Sequence, residues 1–215
     1  MKKYACCIAA ALCALALLGG AELRAADDDG WISLFNGKDL NGWKANENTD
    51  TVSVQDGEIV MHGPVCHLFY VGPVEQHDFK DFDFKAVVMT KPGSNSGIYF
   101  HTKYQDKGWP AQGFEVQVNN THKDPKKTGG LYGVKDVFEA PAKDNEWFTE
   151  EISVRGTHVS VRVNGKEVVD WTEPADFVAK GFPGRKIGRG TFALQGHDPK
   201  SEVHYKSIEV RPVHE

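Results

Sequence analysis

The stretch THVSVRVNGKEVVDW, residues 157–171, decides the architecture. Side chains alternate between faces along an extended strand, so Val159, Val161 and Val163 share one side of THVSVRV. Asn164-Gly165 then separates that run from KEVVDW. Asn-Gly is the preferred pair for a two-residue type I′ hairpin, because both of its positions need positive φ. Two strands joined this tightly must lie antiparallel.

The same punctuation recurs outward from that hairpin. Asp56-Gly57 divides SVQ from EIVMH, and Arg155-Gly156 divides EEISV from THVSVRV. Strand-like alternation returns in FDFKAVVMT (82–90), SGIYFHT (96–102), FEVQV (114–118), TFALQGH (191–197) and VHYKSIEVR (203–211). No stretch reads as a long amphipathic helix. The best helix candidate is TEPADFVAKG, with Pro174 near its start and Gly181 at its end, at most two turns. Many short strands with frequent turns predict an all-β sandwich or barrel.

The first residues are of a different kind. Lys2 and Lys3 precede an apolar run over 4–18, followed by small residues and Ala25-Ala26, the pattern of a secretory signal peptide. Residues 1–26 are therefore expected to be removed. A single domain is expected over 27–215, in the periplasm or outside the cell and without a membrane anchor after processing. That remainder carries 22 basic and 29 acidic side chains, a net charge of −7 with no basic stripe for nucleic acid. Three of the four cysteines lie in the leader, so the domain cannot rest on an internal disulfide. Cys66 and His67 are neighbours on CHLFYV and should face opposite ways, which predicts a buried Cys66 and no Cys–His pair.

The two-residue period also sorts the polar side chains. Gly97, Tyr99 and His101 share a face of SGIYFHT; Glu115 and Gln117, extended by Asn119, share a face of GFEVQVNN; Gln195 and His197 share a face of TFALQGH. If the three strands lie in one sheet, these groups line one surface. Solvated sheet faces are usually rich in Lys, Glu and Thr, whereas this one is Tyr, His, Gln, Asn and a single Glu. Two long loops flank the Glu115 strand, KYQDKGWPAQ (103–112) and NNTHKDPKKTGGLYGVK (119–135), and they bring Trp109 and Tyr132. Aromatic rings beside amides and a carboxylate predict a sugar cleft. His101, Glu115 and His197 would also suit a divalent metal, yet they lack the close spacing of a metal motif. No nucleotide-binding glycine motif is present, so no cofactor is expected.

The segments GWISLFNGKDLNGWK (30–44), NSGIYFH (95–101), GFEVQVNN (113–120), GGLYGV (129–134), VNGKEVVDW (163–171) and LQGHDP (194–199) together resemble the 3-keto-disaccharide hydrolase family, also described as 3-keto-glucoside 1,2-lyase and 3-keto-2-hydroxyglucal hydratase. The resemblance covers essentially all of residues 27–215. It implies a concanavalin A-like jelly roll of two antiparallel sheets with a concave cleft, and it falls on Glu115 and Gln117 and on Leu194, Gln195 and His197. The chain departs from the family pattern at His101, where relatives often carry Arg, and at Asn119-Asn120 and Lys206.

One carboxylate on the polar face raises a chemical question. A retaining glycosidase needs two carboxylates about 5–5.5 Å apart and an inverting one about 6.5–9.5 Å. Gln117 can play neither part. A sugar already oxidised at C3 needs less, because the ketone acidifies the C2 hydrogen and the aglycone oxygen on C1 leaves by elimination. The resemblance thus implies Glu115 as base and His197 as acid or enolate donor, with Tyr99, His101, Gln117, Asn119, Tyr132, Gln195 and Trp109 as substrate contacts. A separate sugar 3-dehydrogenase would supply the keto sugar. The alternatives are a carbohydrate-binding module without chemistry, or an ordinary glucanase whose second carboxylate comes from Asp106, Asp124 or Asp136.

Overall fold

The structure is a computed structural model and describes residues 29–214; the expected leader lies outside the described residues. Its strands in chain order are β1 (Ile32–Ser33), β2 (Trp43–Ala45), β3 (Val52–Gln55), β4 (Glu58–His62), β5 (Cys66–Tyr70), β6 (Asp81–Thr90), β7 (Ser96–Thr102), β8 (Phe114–Val118), β9 (Phe148–Arg155), β10 (His158–Val163), β11 (Lys166–Thr172), β12 (Thr191–Gly196) and β13 (Glu202–Val213). They form two antiparallel sheets. The larger runs β11-β10-β9-β6-β13-β4-β3, with β1 also paired to β13, and the smaller runs β2-β5-β12-β7-β8.

The hairpin signals hold. Asn164 and Gly165 sit at φ 51° and 76° between β10 and β11, and Asp56 and Gly57 at 51° and 82° between β3 and β4. The β9–β10 turn falls one residue later than Arg155-Gly156 suggests, since Arg155 is already paired with His158. The TEPADFVAKG helix does not form. Phe177 N–H closes a single turn on the Pro174 carbonyl and Phe182 another on Ala179. Gly181, Pro183 and Gly184 interrupt anything longer, while Phe177 is held against Trp171 and Phe114.

The sheets pack through their inner faces. Phe82 and Phe84 of β6 meet Phe192 of β12 at ring separations of 4.9 and 4.6 Å, and Phe82 also meets Phe100 of β7 at 6.0 Å. Truncating a ring such as Phe82 to alanine typically costs about 3–5 kcal/mol. Cys66 is buried in this core, and His67 points to the other side of the smaller sheet, as expected. With Leu68, Ile98, Val116 and Leu194 facing inward, the outward face of the smaller sheet is left to polar residues.

Candidate active site

On that outward face, β8 carries Glu115 and Gln117, β7 carries Gly97 and Tyr99, β12 carries Ala193 and Gln195, and β5 carries His67 and Phe69. Register fixes the neighbours: Tyr99 lies opposite Glu115, Gly97 opposite Gln117, and Gln195 opposite His67. Gly97 is there for space. A Cβ at this position would come within 2.5 Å of Glu115 Oε1 and 2.8 Å of its Cγ, so the carboxylate leans over a strand that has no side chain to oppose it.

Glu115 is only 5% exposed. Gln195 Nε2 donates to its Oε1 at 2.8 Å and to the Tyr99 hydroxyl at 3.1 Å, and Arg185 Nη2 stands 3.5 Å from its Oε2. Burial pushes the Glu115 carboxyl above the usual carboxylate range; Arg185, Tyr99, Gln195 and His197 oppose the shift without cancelling it. Burial, with the Glu115 charge alongside, raises the Tyr99 hydroxyl well above its ordinary value and keeps it a proton donor. Tyr132 stacks beneath Lys126 Nζ at 3.8 Å, and its carbonyl accepts from Arg185 Nη1.

His197 leaves the end of β12. The Asp198 carboxylate accepts from its Nδ1–H at 2.8 Å, which leaves Nε2 free. Although burial pushes it upward, hydrogen bonds from His197, Ser201 and Lys200 hold Asp198 at about 2, so it remains a permanent anion orienting the imidazole. Trp109, 48% exposed, lies 5.5 Å from His197 and 5.2 Å from His67, and His122 stands 5.6 Å from His197 on the opposite loop.

Tyr99, Glu115, Gln117 and Gln195 thus share one floor, with Trp109, Tyr132 and His197 around it. Two expected members do not join them. His101 sits at φ 54°, which swings its ring off the face and edge-on to Phe82 at 5.6 Å. There it accepts the Gly188 N–H on Nδ1 and donates from Nε2 to the Lys80 carbonyl, a neutral imidazole used as a brace. The set His101, Glu115 and His197 is therefore not assembled as a metal site. Asn119 is also absorbed by structure: its amide donates to the Asp124 and Lys126 carbonyls at 3.0 and 2.7 Å and accepts the His122 N–H, folding the loop over 119–127.

Four residues enter that the sequence reading does not single out: Arg185, Asp198, His67 and His122. Asp198 had a visible signal, since it directly follows His197. His67 shares the outer face of β5 by the same two-residue rule that selected Gln195. Arg185 comes from the irregular segment 173–190, where no period links it to β8.

The model of the 3-keto-alpha-glucoside-1,2-lyase-like domain matches residues 30–211. The chain belongs to this family. A 3-keto-disaccharide hydrolase from Bacteroides thetaiotaomicron is 27% identical, with 68% of this chain and 61% of the relative aligned; the chain thus spans about three fifths of that relative's length. Among solved structures, a provisional glycosyl hydrolase from Parabacteroides distasonis superposes with a TM-score of 0.74 at 22% identity, covering 86% of this chain and 95% of that one. The carbohydrate-binding module CBM66 from Bacillus subtilis gives 0.56 at 11% identity over 79% and 95%. At these identities the structural matches speak for the shared jelly-roll fold alone.

Proposed function

We propose that this chain cleaves 3-keto-glycosides by proton abstraction and elimination. The observation that carries the reading is Glu115: one buried carboxyl with a raised pKa, held by an amide, a phenol and a guanidinium. Of the three loop aspartates that could give a glucanase its second carboxylate, two are otherwise engaged and the third stands in solvent. Asp136 pairs with Lys126 at 3.3 Å and caps the Gly133 N–H, Asp124 accepts from Lys126 N–H and the Tyr132 hydroxyl, and Asp106 is exposed.

Glu115 takes the C2 proton, and the C2–H electron pair moves into an enolate on the C3 oxygen, where the Tyr99 hydroxyl, held by Gln195 Nε2, is at hand as a donor. The enolate then re-forms the ketone as its electrons make the C1–C2 double bond and expel the aglycone oxygen, which is protonated by His197. Water adds at C1, C2 regains a proton, and the net change is hydrolysis. A positioned base contributes about 10²–10⁴ in rate, and each preorganised donor on the developing oxyanion about 3–4 kcal/mol. The 3-ketone must be made beforehand by an oxidation at C3 in a separate dehydrogenase, in the periplasm or outside the cell where the leader directs this chain.

The test is product analysis on a glucose disaccharide and on the same disaccharide oxidised at C3. Cleavage of the keto sugar alone, with deuterium from solvent entering at C2, is the expected result. Cleavage of the plain sugar at a similar rate overturns the elimination chemistry. Binding of both sugars without cleavage of either, unchanged by Glu115→Gln, makes the chain a carbohydrate-binding module.

A further inference from the structure

Across the strands of the smaller sheet, one row of outward positions runs His67 (β5), Gln195 (β12), Gly97 (β7) and Gln117 (β8). His67 pairs with Gln195 and Gly97 with Gln117, and the pairing of Leu194 with Ile98 brings Gln195 opposite Gly97. Four strands at about 4.8 Å spacing make this row roughly 14 Å long, room for two pyranose rings. Among the described residues, seven buried side-chain polar atoms lack a hydrogen-bond partner, and four of them lie in this row: both ring nitrogens of His67 and the Oε1 atoms of Gln117 and Gln195. Unpaired buried polar atoms are costly and rare in native proteins. A row of them on one face of a sheet marks where a ligand's hydroxyls belong.

His67 is the odd member. Its imidazole is fully buried and has no protein partner on either nitrogen. Burial, with the neighbouring His197 adding to it, lowers its pKa to about 3, so it is neutral at any working pH and serves neither as acid nor as base. A neutral imidazole offers one N–H donor and one acceptor nitrogen. Two adjacent hydroxyls on a sugar ring match that pair. What seals the imidazole is Trp109, set edge-on to it at 72° and itself half exposed. The Trp109 segment closes on itself through Gln105, whose amide donates to the Lys107 and Trp109 carbonyls at 2.8 and 2.9 Å and accepts the Ala111 N–H. It is tied to the segment beside β2 by Gly108 N–H to Glu47 at 2.6 Å and Asn46 Nδ2 to the Gly108 carbonyl at 3.4 Å. Gly108, at φ 78° and with a Cβ position that would meet the end of the Gln105 side chain at 3.8 Å, provides a pivot.

We propose that Trp109 and His67 form a second sugar subsite, in which the leaving-group ring of a disaccharide lies between the indole face and the imidazole. The inference rests on the 3-keto-glycoside reading for its orientation. If His197 protonates the leaving oxygen, the departing ring lies on the His197 side of Glu115, where Trp109 and His67 stand. The oxidised ring then occupies the opposite half of the row, over Gly97 and beside Glu115. Binding lifts Trp109 by one ring thickness and gives the His67 nitrogens the partners they lack.

The experiment compares the 3-keto form of a glucose disaccharide with methyl 3-keto-glucoside, whose leaving group is too small to reach the subsite. Trp109→Ala and His67→Phe are each expected to lower the ratio of kcat/KM for disaccharide over methyl glycoside by about tenfold. His67→Gln, which keeps a donor and an acceptor, should restore most of that ratio. An unchanged ratio in both Trp109→Ala and His67→Phe overturns the subsite. A second arm needs no catalysis: plain glucose is titrated against intrinsic fluorescence. A change that Trp109→Phe abolishes and His67→Phe weakens supports the subsite; no glucose-dependent change overturns it. If the wild-type chain cleaves neither keto substrate, the 3-keto-glycoside reading has failed, and the titration alone then decides whether the subsite stands.

Discussion

The outward faces of the two sheets carry polar residues of opposite character. On the larger sheet they are charged and matched. Asp83 receives Arg155, Arg211 and Ser153; Lys85 pairs with Glu209 at 2.9 Å; His204 lies between Glu58 and Glu202 at 2.9 Å each. On the smaller sheet they are amides, rings and one carboxylate, mostly buried, and several lack partners. A sheet facing water alone can hold charge cheaply and pair it at leisure. Buried hydrogen-bonding capacity left open has a structural cost, and a ligand that fills it explains the cost.

The strongest way to break this contrast is one neutral replacement on each face. Glu115→Gln keeps shape and loses the base, so kcat on a 3-keto-disaccharide should fall by about 10²–10⁴ while the protein stays folded. Asp83→Asn on the larger sheet removes a better-paired carboxylate. Burial there raises its pKa, but the Ser153, Arg155 and Arg211 contacts more than reverse this and hold it below the ordinary range. Its loss should lower the melting temperature and leave kcat of the folded protein where it was. Equal losses of kcat in both variants would erase the functional distinction between the faces.

Glu150 sharpens the contrast from a third side, since lacking partners is not by itself a sign of a site. It projects from β9 into the sealed interior between the sheets, where it is fully buried and neither oxygen has a well-formed hydrogen bond. Burial, only partly offset by the Gly129 N–H, raises its pKa to about 8. Its unfolded value is near 4.5, so the folded chain holds an extra proton between these limits. Stability is then fully present below about pH 4.5 and declines as pH rises toward 8, by about 1.4 kcal/mol per pH unit or roughly 3 kcal/mol between pH 5 and 7. Denaturant titrations of wild type and Glu150→Gln should differ by that slope. A pair of parallel stability–pH curves would show that Glu150 does not titrate with folding.

Gly97→Ala tests whether the floor itself is built for Glu115. The added methyl meets the carboxylate at its oxygen and its Cγ, while a β-strand accepts alanine readily. Displacing a catalytic group by about 1 Å can cost 10² in rate, and a loss of that order is expected with little change in melting temperature. Unaltered kinetics would mean that Glu115 acts from another position.

How much of this was legible beforehand follows from what each residue depends on. SGIYFHT and FEVQV are strands over the very residues their alternation suggested, because an inner face of Ile98, Phe100, Phe114, Val116 and Val118 leaves no other register. The pairing of Tyr99 with Glu115 followed once those strands proved adjacent, which alternation cannot say. His101 escaped the rule because one positive φ ends the period at its own position. Asn119 misled because an amide at the start of a long loop serves the loop's backbone as readily as a sugar. Arg185 was invisible for a deeper reason: its place depends on how segment 173–190 folds back over β8, through the Gly113 N–H to Gly184 carbonyl bond and the cramped approach of Gly184 to Ala111. The guanidinium absent from position 101 nevertheless reaches Glu115, from a loop with no repeat to read.

Arg185 therefore gives the finest test, because its effect should appear in pH rather than in overall activity. Its charge is among the influences that lower the Glu115 pKa, and only burial outweighs it in the other direction. Glu115 must be ionised to take a proton, so activity falls as pH drops through its pKa, above the ordinary glutamate value. In Arg185→Gln the downward pull is gone, the Glu115 pKa rises further, and the acid limb of kcat/KM should move to higher pH. The guanidinium also lies against the Phe182 ring at 3.8 Å and bonds the Tyr132 carbonyl, so some stability will be lost in any case. A purely structural Arg185 would lower the melting temperature and the plateau rate but leave the acid limb in place. A shifted limb means instead that the smaller sheet's face recruits the Arg185 charge from a loop to tune Glu115.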